Sequence, residues 1–462
     1  MKVLVTGATG FVGKRLVAKL IERNHEVVVL SRCKIKAQKA LALPCHFYSW
    51  NPETELPPTE AITHVQAVIN LMGENIAVRR WSTKQKEKIL NSRTIATHNL
   101  IQALEKNLTH PLDVFISSSA VGIYPVNETL TITEQTPSAQ GFLADVCKAW
   151  EKSAQQITQT QRKVIIRTGV VMGHEAGALA KLLPLFRLGL GGPIGAGKQY
   201  MSWIHVDDLV SIYIEALENK TYQGVYNGVA PYPVTNKEWS KTLGDALHVP
   251  ALFPVPPFML KLIFGEMSTV ILDGQKVVPE NLLKQNFKFE YPYIKNAFAN
   301  ICPLEKTSGV SKEKPCHIFR CHQWVPTPLD QTFTFFSDPK NLEKITPPWL
   351  NFHITKEPSS LQTGSLIEYQ LKIHGVNIKW QTLIEDFKLN SHFKDIQTKG
   401  PYSIWNHTHR FISCAGGTLI QDEVHFRLPF GILGSLFIPF ICKDITKIFS
   451  YRKKVITEIL KE

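Results

Sequence analysis

The first fourteen residues, MKVLVTGATGFVGK, constrain this chain more than any other stretch. Lys2 to Thr6 is a short run rich in Val and Leu, as a strand buried on both faces requires. Gly7, Gly10 and Gly13 follow at three-residue spacing, and helical periodicity then runs through Leu16, Val17, Leu20 and Ile21. Strand, glycine turn and helix make the first half of a dinucleotide-binding βαβ unit. Gly7 permits the tight turn, Gly10 lets backbone approach a pyrophosphate, and Gly13 lets the helix pack on the strand. The backbone of Thr9, Gly10, Phe11 and Val12 is then expected to hold the pyrophosphate at the positive end of that helix.

A chain of 462 residues is too long for one ordinary domain. Hydrophobic content of 44% with 20% charged residues fits a soluble globular protein. Nothing opens like a signal peptide, because the first residues are already the strand. The most apolar late stretch, Leu428 to Cys442, is interrupted by Pro429, Gly431, Gly434 and Pro439 and is too short to span a bilayer, so no stable membrane insertion is expected. Eight cysteines without a CxxC pair suggest reduced thiols in a cytoplasmic protein. The net charge of +13 is spread: 35 basic and 26 acidic residues precede Pro315, and 17 and 13 follow from there. An anionic cofactor and a solvated surface account for it without nucleic acid.

Glu26 to Leu30 is the second strand. In such a unit an acidic residue at its end reads the ribose hydroxyl of NAD. Here the strand ends in Ser31-Arg32 with Lys34 and Lys36 behind, a hydroxyl and a guanidinium suited to a 2′-phosphate. The expected cofactor is NADP(H). The next apolar strand, Ala67 to Leu71, ends beside Met72 and Gly73, candidates for backbone contact with the nicotinamide half. Trp81 to Leu104 reads as a long helix with Arg93 toward the cofactor cleft. Val114 to Ser119 runs into Ser117, Ser118 and Ser119, where a hydroxyl near the nicotinamide would polarise a substrate carbonyl. Lys163 to Thr168 is a further strand, ending in Arg167-Thr168.

TGATGFVG, SSSAVGIY and WIHVDDL resemble the extended short-chain dehydrogenase/reductase superfamily, the NAD-dependent epimerase/dehydratase type. NLMGENIAVRRW, FLADVCKAWE, RTGVVMG, LGLGGPIGAGKQYMSWIHVDDL, PVTNKEW and ILDGQKVVPENLL, in this order, resemble more narrowly the atypical family 39U-like "epimerase family protein" subgroup, over about residues 1 to 298. The resemblance implies a doubly wound parallel sheet of Rossmann type with a small cap, whose family-specific piece covers about 250–298. It also implies an NADP(H) site to which Ser117 and Arg167 contribute, and a small carbonyl or sugar-like substrate. The superfamily's Tyr-x-x-x-Lys pair falls on Leu143 and Cys147, which cannot do its proton chemistry. Ser119, with Tyr124 as substitute acid, remains as the catalytic candidate. The rival reading is a non-catalytic NADP(H)-dependent sensor or regulator. Trp203 to Asp208 starts a helix with Asp207 or Asp208 expected as its cap, and the resemblance implies that His205 and these aspartates are structural, with no metal.

Asn300 to Lys314 reads as a flexible linker, assigned to 299–314. From Pro315 the pattern becomes strand, two short helices, a run of antiparallel strands from Leu366 to Phe426 and a final helix, Cys442 to Leu460. That is an α+β helix-grip arrangement. FSDPKNLEKITPPWLNF, KGPYSIWNHTHRF, GTLIQDEVHFRLPFG and IFSYRK resemble the START-like (SRPBCC, polyketide cyclase-type) superfamily over about 315–462. The resemblance implies an apolar ligand in a cavity that Trp380, Trp405, Phe411 and Phe426 could line. His407 and His409 alternate on one strand and face one side; with no carboxylate or Cys partner evident, pocket polarity is the expectation and not a metal. A homodimer is a further candidate assembly.

Overall fold

The computed structural model describes residues 1–306 and 313–461. The chain forms two units, Met1–Asp245 with Val249–Phe298, and Ala299–Glu462 with Ala246–His248. In the first, the opening apolar run is β1 (Lys2–Thr6), with Val3, Leu4 and Val5 fully buried. It leads through the glycine turn to α1 (Phe11–Glu22), which buries Leu16, Val17, Leu20 and Ile21. There follow β2 (Glu26–Ser31), α2 (Lys34–Leu41), β3 (His46–Ser49), β4 (Ala67–Asn70), α3 (Thr83–Asn107), β5 (Val114–Ala120), α4 (Phe142–Ala154), β6 (Lys163–Thr168), α5 (Gly177–Arg187), α6 (Val206–Glu218) and β7 (Gly224–Gly228).

The seven strands form one sheet in the order β7-β6-β5-β4-β1-β2-β3, and every pairing is parallel. The chain leaves β1 toward β2 and later returns to β4 on its other side. The crevice outside the carboxyl ends of β1 and β4 is therefore the topological switch point, where doubly wound sheets bind their ligands.

The sequence had left β3 unread. It is a four-residue edge strand of His, Phe, Tyr and Ser with only Phe47 buried, and an edge strand needs no continuous apolar run. The long helix begins later than expected because the Ser82 hydroxyl caps it, accepting from the Gln85 amide. The cap of α6 is also corrected. His205, not Asp207 or Asp208, is the capping residue, its Nδ1 accepting from the Asp207 amide at 3.2 Å. Asp207 instead pairs with Arg15. Asp208 is buried and accepts from the amides of Glu290 (2.7 Å) and Tyr291 (3.0 Å), so its carboxylate fastens the family-specific segment to α6. Burial raises that carboxyl to about 6, against the pull of the two amides.

That segment is woven into the first unit. Gln275–Val277 pairs in parallel with Asn127–Ile132, and Val277 is buried against Ile123, Tyr124 and Cys147. Val234–Thr235 pairs with Tyr200–Met201 and leads into the helix Asn236–Leu247, and a further helix covers Pro257–Phe264.

The linker is shorter than the sequence suggested. Ile294–Ile301 is helical and Leu304–Lys306 pairs antiparallel with Glu313–Pro315; residues 307–312, with Thr307, Ser308, Gly309, Ser311 and Lys312, lie outside the described residues. The second unit continues with β8 (His317–Val325), α7 (Leu329–Ser337), α8 (Asn341–Ile345), β9 (His353–Lys356), β10 (Leu366–Ile373), β11 (Val376–Lys388), β12 (His392–Lys399), β13 (Ile404–Cys414), β14 (Gly417–Arg427) and α9 (Ile438–Ile459). Its sheet is antiparallel in the order β8-β14-β13-β12-β11-β10-β9. β9, another short edge strand, was not legible. α9 starts at Ile438, four residues early, because Pro439 sits in the first turn, where no amide donor is needed. It buries Ile445, Phe449 and Ile456 along one stripe among sheet residues such as Phe411, Ile420, Val424 and Phe426. Among the described residues no helix is long and apolar enough to cross a membrane.

Candidate functional site

Parallel strands bring their carboxyl ends to one edge, so side chains far apart in sequence meet there. Gly7 has φ +67°, and a Cβ on it would stand 2.7 Å from the Leu71 carbonyl oxygen at the end of β4. A Cβ on Gly13 would fall 2.3 Å from the Gly7 carbonyl oxygen. Only glycine permits this turn and this approach of α1 to it. Gly10 caps α1 without a side chain to occupy the first-turn amides, and Thr9 and Gly10 are exposed. A side-chain-free cradle at an open helix N-terminus fits a pyrophosphate. Phe11 and Val12, partly exposed, begin the helix behind it.

At the end of β2, Ser31 is half-buried and Arg32 exposed, with Lys34 and Lys36 exposed on α2. Ser31 Oγ accepts from the Cys33 amide at 3.5 Å. Arg32 is close enough to Glu74 to contribute, after Lys88, to holding that carboxyl below its ordinary value. Met72 is buried just past β4. Arg93 lies against Gly73, where a Cβ would meet the guanidinium carbon at 2.8 Å. It donates to the carbonyls of Glu74 (3.1 Å) and Ile89 (3.0 Å) and stacks over Trp150. Its side chain thus braces the loop after β4.

The serine strand divides its three hydroxyls. Ser117 is fully buried, donates to the Ser118 carbonyl and lies 3.5 Å from Asn70 Nδ2, within a cluster with Thr6 and Thr97. Ser118 hydrogen-bonds Tyr213. Ser119 donates to Glu151 Oε1 at 2.6 Å.

From there a closed network crosses the site. Ser119 on β5 is in register with Arg167 on β6, and Arg167 with Asn227 on β7. Arg167 clamps Glu151 bidentately, Nε to Oε1 and Nη2 to Oε2, each at 2.8 Å. Arg167 Nη1 donates to the Tyr124 hydroxyl at 2.8 Å, and that hydroxyl donates to Asn227 Oδ1 at 2.7 Å. The Asn227 amide donates to Glu134, and Gln275 Nε2 donates to the Tyr124 carbonyl. Burial raises the Tyr124 phenol, and Arg167 opposes the rise only in part, so it keeps its proton at neutral pH. With 2% of its surface exposed, Tyr124 is a member of the network rather than an open acid.

Leu143 lies beside Gly122, its Cβ 3.4 Å from where a Cβ on that glycine would stand. The Cys147 thiol is buried, and burial followed by Glu151 pushes it up to about 11, so it is no thiolate nucleophile. Glu151, Asn227 and Glu134 were missed by sequence reasoning. Glu151 had a signal: it continues the 143, 147 spacing by one more helical turn and therefore shares their face.

The second unit holds a cavity of about 750 Å³ between its sheet, α7, α8 and α9. Trp380 and Trp405 line it; Phe411 and Phe426 are buried in the core behind. His407 and His409 both reach it, as their alternation required, and neighbouring strands bring Asp395 and Asp422 against them.

An all-parallel sheet with a glycine turn at its switch point defines a dinucleotide-binding unit of Rossmann type. Residues 3–227 match the model of the NAD dependent epimerase/dehydratase family, and residues 255–301 a domain of unknown function (DUF1731). The chain is 41% identical over 302 residues to the "Epimerase family protein SDR39U1 homolog, chloroplastic" of Arabidopsis thaliana, covering 65% of this chain and 86% of the relative. It is 37% identical over 305 residues to the mouse epimerase family protein SDR39U1, covering 65% and 99%. The crystal structure of human epimerase family protein SDR39U1 (isoform 2) with NADPH superposes with a TM-score of 0.59 at 35% identity, covering 65% of this chain and 99% of that one. This chain belongs to the SDR39U1 group of epimerase family proteins.

Proposed function

We propose that the first unit binds NADP(H) and serves hydride exchange with a small carbonyl or sugar-like substrate. The glycine turn carries this reading, because it leaves the first amides of α1 without a side-chain cap at the switch point of the sheet. Thr9, Gly10, Phe11 and Val12 would hold the pyrophosphate, Ser31 and Arg32 the 2′-phosphate, and Met72 and Gly73, braced by Arg93, would border the nicotinamide half. When bound, the cofactor supplies or accepts the hydride. Ser119 would orient and polarise the substrate oxygen, donating its hydroxyl proton to substrate in place of Glu151. The relative solved with NADPH supports this choice of cofactor.

One observation favours a second reading, a non-catalytic NADP(H)-dependent sensor: Leu143 has no proton to give, the Cys147 thiol is pushed up to about 11 by burial, and the Tyr124 hydroxyl is committed to Asn227 and Arg167. Single-turnover oxidation of bound NADPH against a carbonyl library separates the two. A reductase should oxidise NADPH with at least one carbonyl and slow by about 10²-fold or more on Ser119→Ala, as loss of one oxyanion-type donor does. Tight NADPH binding with no oxidation by any carbonyl would leave the sensor.

For the second unit we infer a START-like helix-grip module that takes an apolar ligand with a polar end. In support, aromatic and aliphatic side chains dominate the lining of the cavity, yet the buried Trp380 Nε1 has no hydrogen-bond partner. A buried donor left unpaired costs about 1–3 kcal/mol, and a ligand acceptor would relieve it. Native mass spectrometry of the full chain should show a co-purified apolar molecule. Trp380→Phe, which keeps the ring and removes the donor, should weaken its rebinding by about tenfold. An empty chain that binds nothing from a lipid extract would sink this assignment.

A further inference from the structure

His407 and His409 leave the same face of β13, and the strands on either side each set a carboxylate against them. Asp395 on β12 is in register with His407, and Asp422 on β14 with His409. The two imidazoles are 5% and 4% exposed, with ring centres 3.8 Å apart. The carboxylates use the rings unequally. Asp422 Oδ1 lies 3.1 Å from His407 Nε2 and 2.8 Å from His409 Nδ1. Asp395 Oδ2 stands 3.5 Å from His409 Nε2 and 3.7 Å from His407 Nδ1, at and beyond the outer limit of a hydrogen bond.

This asymmetry has a chemical meaning. His407 Nε2 is hydrogen-bonded to Asp422, while the buried His409 Nδ1 stands 2.8 Å from that carboxylate without hydrogen-bond geometry. With the ring protons on these two nitrogens, two lone pairs face the Asp395 carboxylate, three acceptors around one point. A single imidazolium proton relieves one of those contacts but not both. A cation between the three atoms relieves all of them. Ligand atoms about 2.0–2.2 Å from a tetrahedral centre stand about 3.3–3.6 Å apart, close to both distances to Asp395. The opposite nitrogens then meet a carboxylate, the outer-shell partner that metal-bound histidines commonly have. The three candidate ligand atoms lie within 4.8 Å of one another. Asp395, His407 and His409 all line the cavity, whereas Asp422 lies behind them.

We propose that Asp395, His407 and His409 bind one divalent transition-metal ion of the zinc class. Asp422 orients both imidazoles, and the remaining coordination position faces the apolar cavity. The cavity is thereby a metal-bearing pocket suited to an apolar molecule with one donor oxygen or nitrogen. The site shares no residue with the one proposed to hold NADP(H).

The test uses the full-length chain, freed of metal by chelator dialysis and titrated with Zn²⁺ and with Co²⁺. One ion per chain is expected. His409→Gln and Asp395→Asn should each weaken zinc binding by about 100-fold, and Asp422→Asn by about 10–100-fold, as loss of an outer-shell partner does. The cobalt protein should show visible ligand-field bands without thiolate-to-metal charge transfer, which excludes Cys321, whose sulfur lies 3.6 Å from Asp422. Thermal melting of each variant reports folding. If the variants do not fold, the cobalt spectrum of the unaltered chain decides. Zinc binding no tighter than in the folded His409→Gln chain, or a thiolate charge-transfer band, would overturn the site.

Discussion

Arg32→Asp should lower affinity for NADPH by about 100-fold or more and bring NADH to parity or better. The guanidinium is exposed at the carboxyl end of β2, directly after Ser31, where a 2′-phosphate is expected in this fold. Hydrogen bonds to a charged group contribute about 1.5–3 kcal/mol, and the bidentate geometry of arginine on phosphate sits at the upper end. Aspartate removes that and adds repulsion of the phosphate, while offering acceptors to the ribose hydroxyls of NADH. Two such changes exceed the roughly 2.7 kcal/mol that a 100-fold shift requires. Stability should change by no more than about 0.5 kcal/mol, since the side chain is on the surface. Calorimetric titration with each coenzyme reads the outcome. Unchanged NADPH affinity would remove Arg32 from the site and leave the choice of cofactor to Ser31, Lys34 and Lys36.

What the sequence made legible follows from burial. Central strands β1, β2, β4, β5 and β6 are apolar runs because both their faces are covered, and each was read to within two residues. The edge strands β3 and β9 have one partner and open flanks, so their sequences, His46 to Ser49 and His353 to Lys356, carry no comparable run. The glycine turn was legible because its residues are adjacent in sequence. The networks were not, because their members meet only through strand register. Ser119, Arg167 and Asn227 sit on three strands, and Glu151 on a helix between them. His407 and His409 announced themselves by alternation, but their carboxylates come from β12 and β14, whose register no local pattern specifies. The α6 cap failed for another reason. Two adjacent aspartates are attractive capping residues, yet Arg15 and the Glu290–Tyr291 backbone compete for them, and His205 supplies the acceptor.

The register that hid the network also makes it the place where the first unit is most sensitive to a single substitution. Glu151→Ala should cost about 3–5 kcal/mol of stability, the usual result of removing one partner of a buried ion pair. The Glu151 and Arg167 side chains are 9% and 12% exposed, and two parallel hydrogen bonds at 2.8 Å join them. Alanine leaves the guanidinium without its carboxylate and Ser119 without its acceptor, and both losses fall at the carboxyl edge of the sheet. For a unit of this size that corresponds to a fall of about 10 °C in melting temperature. Burial itself disfavours the charge of Arg167, and its hydrogen bonds with Glu151, then Tyr124, are what hold its proton so firmly. Replacing both partners should therefore be milder than replacing one. Glu151→Leu combined with Arg167→Met removes the stranded charge and should recover at least half of the loss, since apolar replacements of buried pairs are often neutral. Such non-additivity is the signature of a coupled pair, and a double-mutant cycle by chemical denaturation measures it. A coupling energy below about 0.5 kcal/mol would mean that Glu151 and Arg167 are held apart by solvent, and Tyr124 would then be anchored by Asn227 rather than by the ion pair.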